Sequence, residues 1–186
     1  MRIWIVAVIA LLALPGSPVL AQQVSPNGVR TLSPAGAIKP TGTWNLGTRA
    51  GDFVFVAGMR GIDPKTNSLI QGDEARVRQA FLNMKLIAES EGAALQDAVR
   101  LVVYVTDMFR FRPVVNKVQE ELWGKGPYPP RTIIEVHRLN QDDIVEVEGT
   151  FYAPERKQAT APPGQVTPQP ERAPAPVTTN PMRSDQ

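Results

Sequence analysis

Residues 129–153 read PPRTIIEVHRLNQDDIVEVEGTFYA, and this stretch contains two predicted strands separated by a polar turn. In the second strand apolar and polar residues alternate: Val145, Val147 and Phe151 fall on one face, and Glu146 and Glu148 on the other. This alternation is typical of a strand that packs one face on the core. Because the turn LNQDD is short, the pattern predicts that the two strands pair as an antiparallel hairpin.

The predicted hairpin brings Arg131 close to Glu148. In the first strand Ile134 points toward the core, whereas Arg131 and Ile133 share the opposite face with Glu148 and Ile144. The charged pair has two interpretations, a salt bridge on a solvated sheet face or a binding site for an anion. The apolar side chains of Ile133 and Ile144 on the same face predict that a second subunit covers it.

The residues before this stretch predict an α+β domain, with two helices packed on one face of a mixed β-sheet. The first helix carries an apolar stripe at three- and four-residue steps, and Pro113 suits the first turn of the second helix. GIDPKTNSLIQGD, residues 61–73, has the composition of a loop, and TWNLGTRAG, residues 43–51, is a candidate for a further strand. The predicted elements are a strand at 52–58, a helix at 74–91, a strand at 98–107 and a helix at 113–124.

The two ends of the chain differ in composition from the domain between them. Residues 1–21 combine Arg2, an apolar run of about a dozen residues and a small residue before Gln22, as a cleaved secretory signal does. We therefore predict export, most simply to a bacterial periplasm, with no membrane anchor after cleavage. Residues 22–153 are predicted to form one domain, and the Pro-rich residues 154–186 a disordered tail.

Composition excludes several classes of function. The chain contains no cysteine, which excludes thiol catalysis and disulfides. His137 is its single histidine, which leaves little basis for a histidine-based metal site. Residues 22–153 carry 15 basic and 15 acidic side chains. The domain is therefore neutral, and the high isoelectric point of the whole chain is no argument for a nucleic-acid partner.

Several segments, in this order and spacing, resemble the RidA/YjgF family of enamine/imine deaminases. The resemblance implies a chorismate-mutase-like fold, a homotrimer with active sites between subunits, and hydrolysis of reactive 2-imino or 2-enamino acids to 2-keto acids and ammonia. It implies no cofactor and no metal. The matching segments are GTWNLGTRAGDFVFVAGMRGIDP (42–64), ARVRQAFLNMKLIAESEGAALQDAVRLVVYVTDM (75–108), VVNKVQEEL (114–122), PPRTIIEV (129–136) and IVEVEGTFYA (144–153).

The resemblance also implies roles for individual residues. The substrate-clamping arginine of the family falls on Arg131, its catalytic glutamate on Glu148, and the asparagine of its second helix on Asn116. A guanidinium can hold the carboxylate of an imino acid through two parallel hydrogen bonds. A glutamate can take a proton from the attacking water. Glu146 is the alternative carboxylate for this second role.

Other pocket positions depart from the family pattern. Trp44 replaces a tyrosine, Ala57 a serine, Met59 a glutamine and Ile133 a cysteine. The predicted pocket therefore keeps its charged pair and loses polar groups. This difference leaves an alternative function open, a non-catalytic trimer that binds small carboxylates or a protein partner.

Overall fold

The computed structural model describes residues 23–155. The predicted signal sequence and nearly all of the predicted tail lie outside the described residues. Within residues 23–155, no helix has the length and apolar character needed to cross a bilayer.

This part of the chain folds into a six-stranded sheet, a separate two-stranded ribbon and two helices. Two short 3₁₀ turns complete the described elements. The strands and helices are β1 (Arg30–Leu32), β2 (Gly47–Ala50), β3 (Phe53–Arg60), β4 (Ile62–Asp63), β5 (Ser68–Leu69), α1 (Asp73–Ser90), β6 (Ala98–Val105), α2 (Met108–Trp123), β7 (Arg131–Glu135) and β8 (Val145–Tyr152).

The six-stranded sheet is mixed and has the order β1-β2-β3-β8-β6-β7. Strands β6 and β7 are parallel, and every other neighbouring pair is antiparallel. The predicted apolar stripe of α1 is buried against this sheet, including Val77, Phe81 and Met84. The structure thus confirms the predicted fold class, two helices on a mixed β-sheet.

The predicted hairpin between β7 and β8 is wrong. Strand β8 lies between β3 and β6, whereas β7 pairs with the other edge of β6. The physical reason is the unit β6-α2-β7: a strand, a crossover helix and a second strand return the chain parallel to the first strand. The segment 136–144 then carries the chain across to the opposite side of β6.

The predicted sheet faces of β7 are wrong for the same reason. Arg131 is in register with Leu101, and Ile133 packs against the buried core on the helix-covered side of the sheet. Glu148 is in register with Val102 and lies on the uncovered side, which we call the open face. Arg131 and Glu148 therefore lie on opposite sides of the sheet and form no pair within one chain.

Two local boundaries also differ from the prediction. Helix α2 begins at Met108, because Asp107 caps it: the backbone N–H of Arg110 donates to Asp107 Oδ1 at 3.0 Å. Pro113 consequently lies inside the helix and not in its first turn. The predicted loop 61–73 contains the short β4–β5 ribbon.

The core lies between the sheet and the two helices. Phe81 of α1 and Trp123 of α2 meet edge-to-face, with ring centroids 6.0 Å apart, and this contact joins the helices. The Trp123 indole N–H also donates to the Leu95 carbonyl at 3.1 Å. Gly149 allows α1 to approach β8 closely, since a Cβ at this position would lie 2.8 Å from Sδ of Met84.

A buried ion cluster ties the end of α1 to the first strands. Arg49 Nε donates to Glu91 Oε2 at 2.8 Å, and both side chains are more than nine-tenths buried. Arg49 also donates to the Ala153 carbonyl, so the cluster reaches the end of β8. Burial raises the pKa of Glu91, but hydrogen bonds from Arg30 and Arg49 outweigh it and hold that pKa below its usual range.

We expect Glu91→Gln to lower the free energy of unfolding by about 3 kcal/mol at neutral pH, because it leaves the buried Arg49 without a countercharge. The folded pKa of Glu91 lies below its unfolded value. The stabilisation is therefore complete above an unfolded pKa of about 4.3 and is lost as the pH falls through the folded pKa. Urea unfolding at neutral and acidic pH measures both effects.

Glu89→Gln is the matched control, since Glu89 lies in the last turn of the helix that Glu91 caps and its ion pair within residues 23–155 is an exposed one with Lys85. Its expected effect is below about 0.5 kcal/mol. Equal losses in the two variants would contradict the role assigned to the buried cluster.

Candidate active site

Arg131 begins β7 and is held by two amide side chains of α2. Its Nη1 donates to Gln119 Oε1 at 2.6 Å, and its Nη2 donates to Asn116 Oδ1 at 2.7 Å. Asn116 and Gln119 are three residues apart, so they face the same side of the helix. Burial, with the positive charge of Arg112 adding to it, lowers the pKa of Arg131. Asn116 and Gln119 are neutral, and no carboxylate within residues 23–155 forms an ion pair with Arg131.

A cavity of about 370 Å³ opens beside this guanidinium, and we call it the Arg131 cavity. Tyr128 closes one side of it and is fixed by donating its hydroxyl to the Gly124 carbonyl at 2.8 Å. The cavity is lined by Asn116, Gln119, Glu120, Tyr128, Pro129 and Arg131. It therefore presents the Arg131 guanidinium, two neutral amides and the exposed carboxylate of Glu120. Because Glu120 forms no ion pair with Arg131 among the described residues, the guanidinium is suited to bind one small carboxylate.

A second cavity, of about 230 Å³, lies at the C-terminal end of β3 and contains Glu146. We call it the Glu146 cavity. Its walls are mostly apolar, and two of them, Trp44 and Ala57, also pack against the core. The lining residues are Ile38, Thr41, Trp44, Ala57, Gly58, Arg60, Ile62, Asn140 and Glu146.

An irregularity in β3 makes room for the Glu146 carboxylate. The pairing of β3 with β8 shifts register between Val56 and Met59, which places Ala57 and Gly58 in a bulge. The carboxylate of Glu146 lies directly against the Gly58 backbone, and a Cβ at Gly58 would overlap it. Bulges of this kind re-aim side chains beside functional sites.

The surroundings of Glu146 favour its protonated form. Burial raises the pKa of this carboxyl, the nearby Arg60 opposes the effect, and the carboxylates of Glu148 and Asp143 add to it. A carboxyl whose pKa is moved toward neutrality is a stronger base than an exposed one. Glu146 thus has the environment expected of a proton-transfer group.

Glu148 lies outside the Glu146 cavity. It lines a separate depression on the open face with Phe55, Arg100 and Thr150 among others. The Tyr104 hydroxyl donates to Glu148 Oε1 at 3.4 Å. The two candidate carboxylates are thus two residues apart on one strand, and only Glu146 shares a cavity with Trp44 and Ala57.

The protein-family model described as Endoribonuclease L-PSP matches residues 35–152. The chain belongs to the RidA/YjgF family. Its match to this family spans every strand and helix of the described domain except β1.

Individual RidA/YjgF proteins resemble the chain along nearly their whole length. A solved structure of a probable translation initiation inhibitor from Rhodopseudomonas palustris is 55% identical, with a TM-score of 0.67, and the match covers 68% of this chain and 99% of that one. RidA from a Psychrobacter species is 34% identical, with a TM-score of 0.62 and coverage of 66% and 98%. A 2-iminobutanoate/2-iminopropanoate deaminase of Dermatophagoides farinae is 32% identical over 122 residues, which are 64% of this chain and 92% of that protein.

The structure separates the residues that the RidA/YjgF resemblance grouped into one site. Asn116 joins Arg131 at one cavity, and Trp44 joins Ala57 at the other. Ile133 lines neither cavity and packs against the core.

The sequence reasoning missed several lining residues. Gln119 carried a usable signal, because it lies one helical step from Asn116 on the same face. No sequence signal identified Tyr128 or Arg60, because their positions beside the cavities depend on the path of the backbone in the folded chain.

Proposed function

We propose that this protein hydrolyses reactive 2-imino and 2-enamino acids to 2-keto acids and ammonia. The observation that carries the proposal is the half-buried Arg131 guanidinium, which faces a cavity and whose side-chain hydrogen-bond partners within residues 23–155 are two neutral amides. The membership in a family with relatives named 2-iminobutanoate/2-iminopropanoate deaminase supports the same chemistry.

In this proposal Arg131 binds the substrate carboxylate. A planar guanidinium donates two parallel hydrogen bonds to a carboxylate and so fixes its orientation as well as its position. Asn116 and Gln119 hold the guanidinium in place, so little side-chain freedom is lost when the substrate binds. The carbon of the C=N group, directly bonded to the carboxylate, is then held at a defined point.

The general base is assigned to Glu146, not to Glu148 as the resemblance implied. Glu146 shares its cavity with Trp44 and Ala57, and burial raises its pKa. Water attacks the carbon of the protonated imine as Glu146 accepts one proton of the water, so that a C–O bond forms and the C=N bond becomes the C–N single bond of a neutral carbinolamine. Glu146 then returns this proton to the nitrogen. The hydroxyl proton passes to solvent as the C=O bond forms and the C–N bond breaks, which releases ammonia and leaves the 2-keto acid.

The two cavities of one chain do not form this site together. Arg131 and Glu146 lie on strands separated by β6, about 10 Å apart in the hydrogen-bonding direction, and on opposite sides of the sheet. A small imino acid cannot span that separation. We therefore propose a trimer, in which the Arg131 cavity of one subunit faces the Glu146 cavity of its neighbour.

The open face supplies an apolar surface for this assembly. Phe53 contacts the rings of Phe55 and Tyr152, with centroids 6.4 and 5.5 Å apart, and all three rings are exposed in the single chain. A neighbouring subunit would remove these rings from water, which favours association.

We expect the full chain to accelerate release of 2-ketobutanoate when a pyridoxal-phosphate lyase generates 2-iminobutanoate in the same cuvette. Arg131→Ala is expected to lower this acceleration on the order of a hundredfold or more, because it removes a buried charged partner of the substrate. Circular dichroism of the variant checks that the fold is kept.

If the wild-type chain gives no acceleration but 2-keto acids still raise its melting temperature through Arg131, the protein is a carboxylate binder. That result would replace the hydrolase proposal with the non-catalytic alternative.

A further inference from the structure

Arg60 is the last residue of β3 and faces Glu146 across the β3–β8 pair. Both residues line the Glu146 cavity. Directly opposed residues on neighbouring strands have Cβ atoms about 5 Å apart. The Arg60 side chain therefore leaves the backbone beside Glu146, the residue that accepts the proton in the proposed function.

Within residues 23–155, the guanidinium of Arg60 forms an ion pair with Asp143 and none with Glu146. Its Nη1 donates to the Asn140 carbonyl at 2.7 Å, and its Nη2 donates to Gln141 Oε1 at 3.1 Å. The loop before β8 thus holds the charged end of Arg60 away from direct contact with the carboxylate.

Two further contacts keep this arrangement rigid. The Asn83 amide of α1 donates to the Arg60 backbone carbonyl at 2.9 Å, which fixes the end of β3 against the helix. The fully buried Asp143 carboxylate lies 3.8 Å from Arg60 and 3.7 Å from Arg76. The position of the Arg60 charge is therefore determined by α1 and by the loop together.

The charged and titratable groups around Glu146 come from its own strand and from three neighbouring segments. Arg60 faces it from β3, Asp143 precedes it in the loop, and Glu148 follows it on its own strand. Tyr104 of β6 is its register partner on the other side. Arg60 is the one cation among these groups, and it opposes both the burial of Glu146 and the two nearby carboxylates.

We propose that Arg60 is a positioning residue that keeps Glu146 ionised at neutral pH while the loop anchors its guanidinium, so that the carboxylate stays free to accept a proton. This inference rests on the proposed function for its catalytic consequence. The effect of Arg60 on the ionisation of Glu146 does not depend on the proposed function, because it applies with or without substrate.

The test is an NMR titration of the Glu146 side-chain carboxyl in the full chain, with Glu146→Gln used to assign the resonance. Arg60→Gln is expected to move the Glu146 titration upward by about one pH unit, because an opposite charge at this distance is removed. The acidic limb of the kcat/KM profile for 2-iminobutanoate should move upward by the same amount.

If Arg60→Gln folds poorly, two substitutions of the exposed loop residue Gln141 provide the same test. Gln141→Glu places a carboxylate on Arg60 Nη2 and is expected to raise the Glu146 titration as well. Gln141→Ala is the control: it removes one anchor, keeps the Arg60 charge and should leave the titration within about 0.3 pH units of wild type.

An unchanged Glu146 titration in Arg60→Gln, or in Gln141→Glu, overturns the inference and leaves Arg60 as a clamp on the loop. Failure of the proposed function looks different. The wild-type chain would then show no imine hydrolysis, while the NMR titration would still report whether Arg60 controls Glu146.

Discussion

Co-expression of Arg131→Ala chains with Glu146→Gln chains is expected to restore about one quarter of the wild-type imine hydrolysis, although each variant alone is nearly inactive. In the proposed closed ring of three subunits, each site would take Arg131 from one chain and Glu146 from the next. With equal, random mixing, each of these two residues is intact at about half of the sites, so both are intact at about one quarter.

The structural reason for this expectation is the separation of the two cavities within one chain. Arg131 lies on the helix-covered side of the edge strand β7, and Glu146 lies on the open face beyond β6. If a single chain contained the whole site, no subunit in the mixture would carry both residues. Activity would then stay at the residual level of the separate variants.

A second mixture is the matched control for this experiment. Wild-type chains co-expressed with the double variant Arg131→Ala, Glu146→Gln should retain about one quarter of the activity for sites between subunits. Sites within one chain would retain about one half. Size-exclusion chromatography with light scattering, on the same samples, measures whether the assembly is a trimer; a monomeric chain would contradict the shared site directly.

The helical part of the fold was readable from the sequence because its signals are local. The stripe through Val77, Phe81 and Met84 has the period of a helix, and all three side chains are buried. The strand predicted at 98–107 was equally clear from its apolar, β-branched run, and the structure ends it at Val105. These features depend on residues a few positions apart, and tertiary packing did not override them.

Strand pairing was not readable in the same way. The strands β7 and β8 are neighbours in sequence, and a short polar turn between them favoured a hairpin. The more informative feature was LVVYV, residues 101–105 of β6, since a continuous apolar run is typical of a buried strand in a parallel β-α-β unit. Such a strand separates β7 from β8, and the faces of Arg131 and Glu148 follow from that separation.

The choice between the two glutamates of β8 also depended on the fold. Glu146 and Glu148 are two residues apart, so strand alternation puts both on the open face. What distinguishes them is the bulge at Ala57 and Gly58 on the neighbouring strand, which opens a space only at Glu146. The sequence alone does not indicate that the Glu146 side chain approaches Gly58.

Glu146→Gln is expected to lower kcat for 2-iminobutanoate roughly a hundredfold or more while leaving carboxylate binding nearly unchanged. Glutamine has the same shape and fills the same space against Gly58, but it cannot accept the proton of the attacking water. Because Arg131 is untouched, the shift in melting temperature caused by 2-ketobutanoate should persist. The measurements are steady-state kinetics and a thermal-shift titration on the same preparation.

Glu148→Gln is the matched control, since it makes the same chemical change two residues away on the same strand face. It should keep most of the turnover, because Glu148 lies beside Arg100 and Tyr104 and outside the Glu146 cavity.

Gly58→Ala provides a third variant that leaves every charged group in place. Its new methyl group occupies the position of the Glu146 carboxylate, so it should reduce kcat at least tenfold through misplacement of the base. If Glu148→Gln were the variant that lost turnover, with Glu146→Gln and Gly58→Ala nearly normal, proton transfer would belong to Glu148 and the Glu146 cavity would serve only to bind the substrate side chain.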